Sequence, residues 1–213
     1  IKTTGQDEKL LTPGSFEVQF VSMSQNNKDV YFSSNQNDID RQHIWMTNSQ
    51  MSNPVQLING LGVEWSPNAD KNGILFVLAS SYNLPAHPYK VNQNGTLNSI
   101  APKAIPKSFP KDILRKPEQI VFESSNGIKI HNQLFLPANY DENKNYPALI
   151  YFHGGSRRQM LLGFHHRGYY HNAFAMNQFL ADQGYIVLSV NYRSGIGYGL
   201  KFREALNYGA NGA

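Results

Sequence analysis

The feature that most constrains this chain is an apolar run that ends in two glycines, Leu149-Ile150-Tyr151-Phe152-His153-Gly154-Gly155. A short unbroken apolar run predicts a buried strand, and paired glycines let the backbone that follows turn sharply or approach another group closely. Acyl-transfer chemistry needs backbone N–H groups held ready for a developing oxyanion. We interpret His153, Gly154 and Gly155 as a candidate oxyanion-hole loop. The alternative is an ordinary glycine turn after a strand.

Composition narrows the class of protein. The 213 residues are 40% hydrophobic and 16% charged, which is typical of a globular chain with room for one large domain or two small ones. Cysteine is absent, so disulfides, thiolate nucleophiles and Cys-ligated zinc are excluded. No apolar stretch reaches the ~18–20 residues of a membrane helix, so no membrane span is expected. Compartment and oligomeric state are left open.

Residues 1–101 are predicted to be all-β, because short aromatic or β-branched runs alternate with the turn signals Asn59-Gly60, Asn72-Gly73 and Asn94-Gly95. The runs form two groups of four. The predicted strands are Phe16–Ser22, Asp29–Ser34, Gln42–Thr47, Pro54–Ile58, Leu61–Ser66, Gly73–Ser80, Ala86–Asn92 and Thr96–Ile100.

The two groups of strands resemble each other. Val18-Gln19-Phe20 matches Val63-Glu64-Trp65, and Val30-Tyr31-Phe32 matches Leu75-Phe76-Val77, both at an offset of 45 residues. A four-stranded repeat of ~40–50 residues predicts blades of a β-propeller. Because two blades cannot close a ring, we expect residues 1–101 to be the last blades, with others before Ile1. A small β-sandwich is the alternative.

Residues 102–117 form a predicted connector. Four prolines, at 102, 106, 110 and 117, alternate with lysines, which favours an extended segment with solvated side chains. Nucleic-acid binding would instead need basic residues on a formed surface with stacking aromatics. No nucleic-acid partner is therefore expected, although the net charge is +4.

Residues 118–213 change to an α/β pattern. Glu118–Glu123 and Ile130–Leu136 predict a hairpin, and Ala148–Phe152 and Ile186–Val190 predict buried strands. Between these strands, Asn172 predicts the cap of a helix that runs to Gln183, with Gly184 as the residue after it. The same helix is expected to present Ala173, Met176 and Leu180 on one face, and a further helix begins near Leu200. The order predicts the opening half of an α/β sheet.

The loop 156–171 is basic and aromatic, and ligands of open α/β sheets bind where such loops lie. Arg157 and Arg158 are candidate substrate-binding residues; the alternative is a surface loop that packs on a neighbouring domain. No metal is expected, because the histidines at 165, 166 and 171 lack the spacing of a helical pair. No cofactor is expected either, because the glycines at 195, 197 and 199 lack dinucleotide-binding spacing.

Two segments together carry a family resemblance: residues 147–155, which end in His153-Gly154-Gly155, and residues 181–199, which end in Asn191-Tyr192-Arg193-Ser194-Gly195-Ile196-Gly197-Tyr198-Gly199. They resemble the prolyl oligopeptidase family of serine peptidases, especially its dipeptidyl-peptidase and acylaminoacyl-peptidase branches. The resemblance implies a β-propeller beside an α/β-hydrolase domain. It also implies hydrolysis of short peptide substrates by a Ser-His-Asp triad through an acyl-enzyme, without metal or cofactor.

No Gly-x-Ser-x-Gly nucleophile motif occurs in the chain. In the family's chain order the triad follows the motifs above, so we expect Ser, Asp and His beyond Ala213 and the isolated chain to be inactive. The chain departs from the family by having Phe152-His153 where relatives carry an oxyanion-binding tyrosine, and Ser156 where many have proline. An esterase of the same fold and a non-catalytic propeller binding module are the alternatives.

Overall fold

The computed structural model describes residues 5–6, 8–155 and 157–205. The described residues are mostly β-sheet, arranged as three sheets of four strands with two helices. The all-β character predicted for residues 1–101 is confirmed in the described part of that range. None of the helices in these ranges is long and apolar enough to cross a membrane.

The first eight strands form two antiparallel meanders in which each strand pairs with the next one along the chain. The predicted strands are all present, with ends shifted by a few residues; the fourth shrinks to two residues. The first meander contains β1 (Val18–Met23), β2 (Asp29–Ser34), β3 (His43–Asn48) and β4 (Val55–Gln56). The second meander contains β5 (Val63–Ala69), β6 (Leu75–Ser80), β7 (His87–Val91) and β8 (Leu97–Ser99).

The two meanders share an irregularity that supports their equivalence. β1 carries a bulge between Gln19 and Ser22, and β5 carries one between Trp65 and Asn68. Each bulge contains a residue with positive φ, Phe20 at 50° and Ser66 at 51°. The bulges therefore align the first strands at an offset of 46 residues, one more than the side-chain pattern indicates. The second strands keep the offset of 45, because residues 76 and 77 occupy the register positions of 31 and 32.

An apolar core joins the two meanders, and its side chains come from strands of both and from the segment between β4 and β5: Ile44, Ile58, Ala69, Leu75 and Val77. Beside this core lies a buried charged pair, His43 of β3 and Glu64 of β5, with 2.7 Å between Nδ1 and Oε2. The other ring nitrogen of His43 is 3.7 Å from Asp38 Oδ2. One imidazole therefore faces two carboxylates at the contact between the meanders.

The connector at residues 102–117 is a series of turns rather than an extended segment. Backbone hydrogen bonds close turns from Ala104 to Ala101 and from Phe109 to Pro106. Its lysines are exposed, as expected, but Phe109 packs against the core of the following region. The extended conformation predicted from proline content is wrong, because these turns and the partly buried Phe109 side chain hold the segment against the protein.

The third sheet is mixed. It contains β9 (Glu118–Glu123), β10 (Lys129–Phe135), β11 (Ala148–Phe152) and β12 (Ile186–Val190), in the spatial order β11-β12-β10-β9. β9 and β10 form the predicted hairpin, and β11 and β12 are parallel with Phe152 opposite Val190. The helix α1 (Gly168–Asp182) lies between β11 and β12 in the chain, and α2 (Leu200–Arg203) follows β12.

Helix α1 corrects two details of the prediction. It begins at Gly168, after an N-cap at Arg167, so Asn172 is an interior residue and not the cap. Met176 is 48% exposed, whereas Tyr170, Phe174 and other side chains are buried, so the predicted apolar face is rotated. The C-terminus is as predicted: Gly184 has φ of 91° and donates to Ala181 O, while the next N–H donates to Leu180 O.

The first meander is tied to the third sheet through one buried carboxylate, Asp40. Asp40 Oδ2 accepts a hydrogen bond from Gln119 Nε2 and lies 2.8 Å from His131 Nδ1. Asp40 Oδ1 accepts from the Tyr198 hydroxyl at 2.7 Å, and its backbone carbonyl accepts from the Leu162 N–H at 3.1 Å. Four segments that are distant in the chain therefore meet at this residue.

The His43 environment predicts a pH dependence of stability. Burial by itself would lower the pKa of His43, but hydrogen bonds to Asp38 and Glu64, together with their negative charges, raise it to about 9. Because this pKa exceeds the unfolded value of 6.5, the stabilisation is complete below pH 6.5 and is lost as the pH rises through 9. We expect this contribution to reach about 3 kcal/mol.

The measurement is urea unfolding of wild type and His43→Gln from pH 6 to 10. The difference in unfolding free energy should shrink as the pH rises. His87→Gln is the matched control, because His87 is equally buried but hydrogen-bonds Ser99 instead of a carboxylate. A difference between wild type and His43→Gln that stays constant with pH would contradict the assignment.

Candidate functional site

The candidate loop lies where the two parallel strands end. Since β11 and β12 are parallel and in register, the residues that follow Phe152 and those that follow Val190 emerge at the same edge of the third sheet. His153-Gly154-Gly155 therefore lies beside Asn191 and Tyr192. Carboxyl ends of parallel strands are where ligands of such sheets bind.

Two backbone N–H groups are available at this edge. Gly154 and Gly155 are both exposed, and neither N–H donates a hydrogen bond to any group in the described ranges. Gly155 has φ of 60°, in the left-handed region that favours glycine, whereas Gly154 lies outside that region. A loop with free amide donors facing solvent can bind an oxyanion or another acceptor.

The carbonyl groups of the same loop are all occupied by two tyrosine hydroxyls. Tyr192 donates to His153 O at 2.9 Å and to Gly155 O at 3.0 Å, so its single hydroxyl hydrogen is shared between two acceptors. Tyr170 donates to Gly154 O at 2.7 Å. The two tyrosines were not predicted as part of the site. The sequence feature that points to Tyr192 as a site residue is its position, two residues beyond a strand parallel to β11.

His153 lies beneath the loop, and its ring is 2% exposed. The ring stacks on Tyr192 with centroids 4.3 Å apart and meets Tyr170 edge-on at 6.4 Å. Burial lowers the pKa of His153 to about 4, so the imidazole is neutral at pH 7. Of the three predicted loop residues, His153 therefore supplies packing and a carbonyl anchor, while the glycines supply the exposed donors.

The two candidate arginines have different surroundings. Arg157 donates to Arg203 O at 2.8 Å and lies 3.1 Å from Glu204 Oε1, an exposed ion pair with residues at the end of α2. Arg158 donates to Arg157 O at 2.7 Å and lines a small cavity together with Gln42 and His166. The structure therefore places the two guanidinium groups in separate environments and does not bring them together as a pair.

The loop that carries these arginines packs between the meanders and the third sheet. Its apolar residues are almost fully buried, and Phe164 N–H donates to Ser81 O while Ser80 Oγ donates to Phe164 O. The buried side chains are Met160, Leu161, Leu162 and Phe164. The sequence supports two interpretations of this loop, substrate binding and packing on a neighbouring region. Residues 159–165 fit the second interpretation. Among the described residues of this loop, only Arg157 and residues 167–169 are exposed.

The histidines of this loop are engaged with the protein. His165 contacts Gln159 O through Nε2 and accepts from the Arg167 N–H through Nδ1, which uses both ring nitrogens. Burial lowers the pKa of His166 to about 4, with the charge of Arg167 adding to the effect. Among the described residues, no group of three or more His, Cys, Asp or Glu side chains could hold a metal ion.

The glycine-rich segment after β12 is fixed by the first meander. The Gly197 N–H donates to Glu17 Oε1 at 2.7 Å, and Gly197 O accepts from Asn35 Nδ2 at 2.7 Å. A Cβ atom at Gly197 would lie 2.2 Å from Gln159 Oε1, and φ is 96°. This φ lies in the left-handed region that favours glycine, so an L side chain at 197 would be strained even if the flexible Gln159 side chain moved away.

Fold and site together define a mostly β-sheet protein with free amide donors at the carboxyl end of a parallel strand pair. No family model matches the chain. It is 23% identical over 211 residues to dipeptidyl-peptidase 5 of Porphyromonas gingivalis, 31% over 134 residues to mouse dipeptidyl peptidase 8, and 33% over 90 residues to the Bacillus subtilis protein named uncharacterized peptidase YuxL. These matches cover 96%, 63% and 42% of this chain, respectively.

These relatives confirm the resemblance of the chain to peptidases of the prolyl oligopeptidase family. It spans 28% of the length of the Porphyromonas protein, 14% of the mouse protein and 12% of the Bacillus protein.

The backbone of the candidate loop predicts different costs for its two glycines. Gly155→Ala forces an L residue into the left-handed region, which costs about 1–2 kcal/mol. Gly154→Ala is the matched control, because its Cβ would meet nothing closer than the Tyr170 hydroxyl at 3.9 Å and its φ lies outside that region. Thermal unfolding should show a lower melting temperature for Gly155→Ala than for Gly154→Ala. Equal melting temperatures would contradict the described backbone.

Proposed function

We propose that this chain forms part of a serine peptidase of the prolyl oligopeptidase family that hydrolyses short peptides through an acyl-enzyme. Residues 118–213 are the N-terminal part of its α/β-hydrolase domain, residues 102–117 the connector, and residues 1–101 the last blades of a β-propeller. The resemblance to the prolyl oligopeptidase family and the peptidase names of the relatives support this proposal.

The propeller assignment is supported by the repeated meander. Each unit has four antiparallel strands in chain order, and the units share a bulge in their first strand. A propeller blade is a four-stranded antiparallel sheet that packs face to face on the next blade. The apolar core shared by the meanders fits such a stacking.

The hydrolase assignment is supported by the third sheet. An antiparallel hairpin precedes two parallel strands, and helix α1 lies between those strands in the chain. Crossover helices between parallel strands are the building units of α/β sheets. The β11 strand is an edge of this sheet with Ile150 and Phe152 exposed at 60% and 59%.

The observation that carries the proposal is the pair of exposed, unpaired N–H groups at Gly154 and Gly155. In acyl transfer, the carbonyl oxygen of the substrate becomes negative when the nucleophile attacks. Backbone donors that are already in place stabilise that charge without reorganising. The chain has Phe152-His153 at the position where relatives carry an oxyanion-binding tyrosine. The backbone of this loop is therefore the proposed donor.

The serine, aspartate and histidine of the mechanism are assigned to none of the described residues. Burial holds His153 and His166 neutral, and His43 is committed to its two carboxylates. The role we give this chain is therefore to build the oxyanion loop and one wall of the site. Nucleophilic attack and proton transfer belong to the triad that the family supplies.

Arg158 is the stronger of the two proposed substrate-binding residues. Arg157 would have to release Glu204 before its guanidinium could meet a substrate carboxylate or carbonyl. Arg158 uses one nitrogen on the Arg157 carbonyl and is half-buried beside the loop. A guanidinium group can donate two hydrogen bonds side by side, so it can bind the carboxylate or carbonyl oxygens of a peptide.

The test is labelling of the full-length natural protein with a fluorophosphonate probe, read as intact mass, followed by turnover of aminoacyl-amide and simple ester substrates. One adduct per chain, lost after heat denaturation, and cleavage of the amides are expected. Ester turnover without amide turnover would favour an esterase of the same fold. The absence of any adduct would contradict a serine hydrolase and favour a binding module.

A further inference from the structure

We propose that Tyr192 and Tyr170 are positioning residues for the oxyanion loop, which together fix the two peptide planes that carry the Gly154 and Gly155 N–H donors. The inference rests on the proposed function, because it gives a role to groups that do not themselves touch substrate. The contacts of both hydroxyls with the loop carbonyls carry it.

The planarity of the peptide bond makes this connection. In a trans peptide the C=O and the following N–H lie in one plane and point in opposite directions. The carbonyl of His153 shares its plane with the N–H of Gly154. When Tyr192 binds that carbonyl at 2.9 Å, it fixes the direction of the Gly154 N–H, which points away from the phenol.

Tyr170 does the same for the next peptide. The carbonyl of Gly154 shares its plane with the N–H of Gly155, and the Tyr170 hydroxyl donates to that carbonyl at 2.7 Å. Two tyrosines therefore fix two consecutive peptide planes and two consecutive donors. Such anchors matter here because glycine allows many backbone conformations and would otherwise leave both N–H directions free.

The tyrosine rings are held firmly enough to serve as anchors. Tyr170 lies in the first turn of α1 and is 7% exposed, packed edge-on to His165 with centroids 5.5 Å apart. Tyr192 follows β12 and stacks on the buried His153 ring with an interplanar angle of 22°. The imidazole of His153 thus lies against both phenols, which explains its burial next to a loop that is otherwise exposed.

The hydroxyls also strengthen the donors they orient. A hydrogen bond to a carbonyl polarises the whole peptide group, so its N–H becomes a better donor. Both effects act on the transition state more than on the neutral substrate, because the oxygen carries its charge only there. Loss of either hydroxyl should therefore lower kcat and leave KM nearly unchanged.

The experiment compares Tyr192→Phe, Tyr170→Phe and wild type in the full-length protein with an aminoacyl-amide substrate. We expect each variant to lose 10- to 100-fold in kcat with less than a threefold change in KM, below the ~10²–10³ of removing an oxyanion donor itself. Tyr146→Phe is the matched control, because it deletes a tyrosine hydroxyl bond to a backbone carbonyl, Asn139 O, away from the loop. It should keep wild-type kcat.

A second readout does not depend on activity. Arg157 is exposed and lies two residues after the loop, so trypsin cleavage there reports the order of the loop backbone. Tyr192→Phe and Tyr170→Phe should be cut severalfold faster than wild type at a temperature where all remain folded, and Tyr146→Phe should not.

The outcomes separate the two proposals. An active wild type whose Tyr192→Phe and Tyr170→Phe variants keep kcat and trypsin resistance would overturn the positioning role and leave the hydrolase function standing. Faster cleavage with unchanged kcat would also overturn it, since the hydroxyls would then order the loop without aiding catalysis. A wild type that takes no fluorophosphonate adduct would overturn both.

Discussion

The interaction on which the rest of the structure depends is the buried carboxylate of Asp40. It lies in the first meander and accepts hydrogen bonds from Tyr198 and from the third sheet at Gln119 and His131. A buried carboxylate that loses its partners costs several kcal/mol, so these groups have to stay together. Burial and the nearby negative charge of Asp40 raise the pKa of Tyr198 well above 10, which keeps its phenol protonated as the donor.

Asp40 is connected to the candidate site through a chain of hydrogen bonds. Tyr198 accepts from Asn191 Nδ2 at 2.8 Å, and Asn191 exchanges two hydrogen bonds with the Met160 backbone. Asn191 directly precedes Tyr192, the residue that binds the loop carbonyls. One network thus links the contact between the first meander and the third sheet to the geometry of the proposed oxyanion loop. This network therefore connects residues of the first meander, as well as those of the third sheet, to the three residues of the loop.

Much of this architecture follows from local sequence. The turn dipeptides and short apolar runs specify the two meanders, and the unbroken runs at 148–152 and 186–190 specify the bounds of the parallel pair. The burial predicted for residues 148–152 is wrong, because β11 is the edge strand of its sheet and most of its side chains are exposed. The start of α1 was predicted wrongly, because Asn172 has capping chemistry while packing of Tyr170 extends the helix by a turn. For the tyrosine anchors, the sequence offers only the position of Tyr192 shortly after β12, because Tyr170, Tyr192 and the loop meet only after the strands pair.

The decisive measurement is the coupling free energy between Asp40→Ala and Tyr198→Phe in a double-mutant cycle of urea unfolding. The account predicts a coupling of about 1–3 kcal/mol, because the two side chains form one charge-assisted hydrogen bond. Asp40→Ala combined with Tyr146→Phe, whose phenol binds Asn139 and Asp141, should be additive within about 0.5 kcal/mol. Additivity of Asp40→Ala and Tyr198→Phe within the same margin would contradict the network.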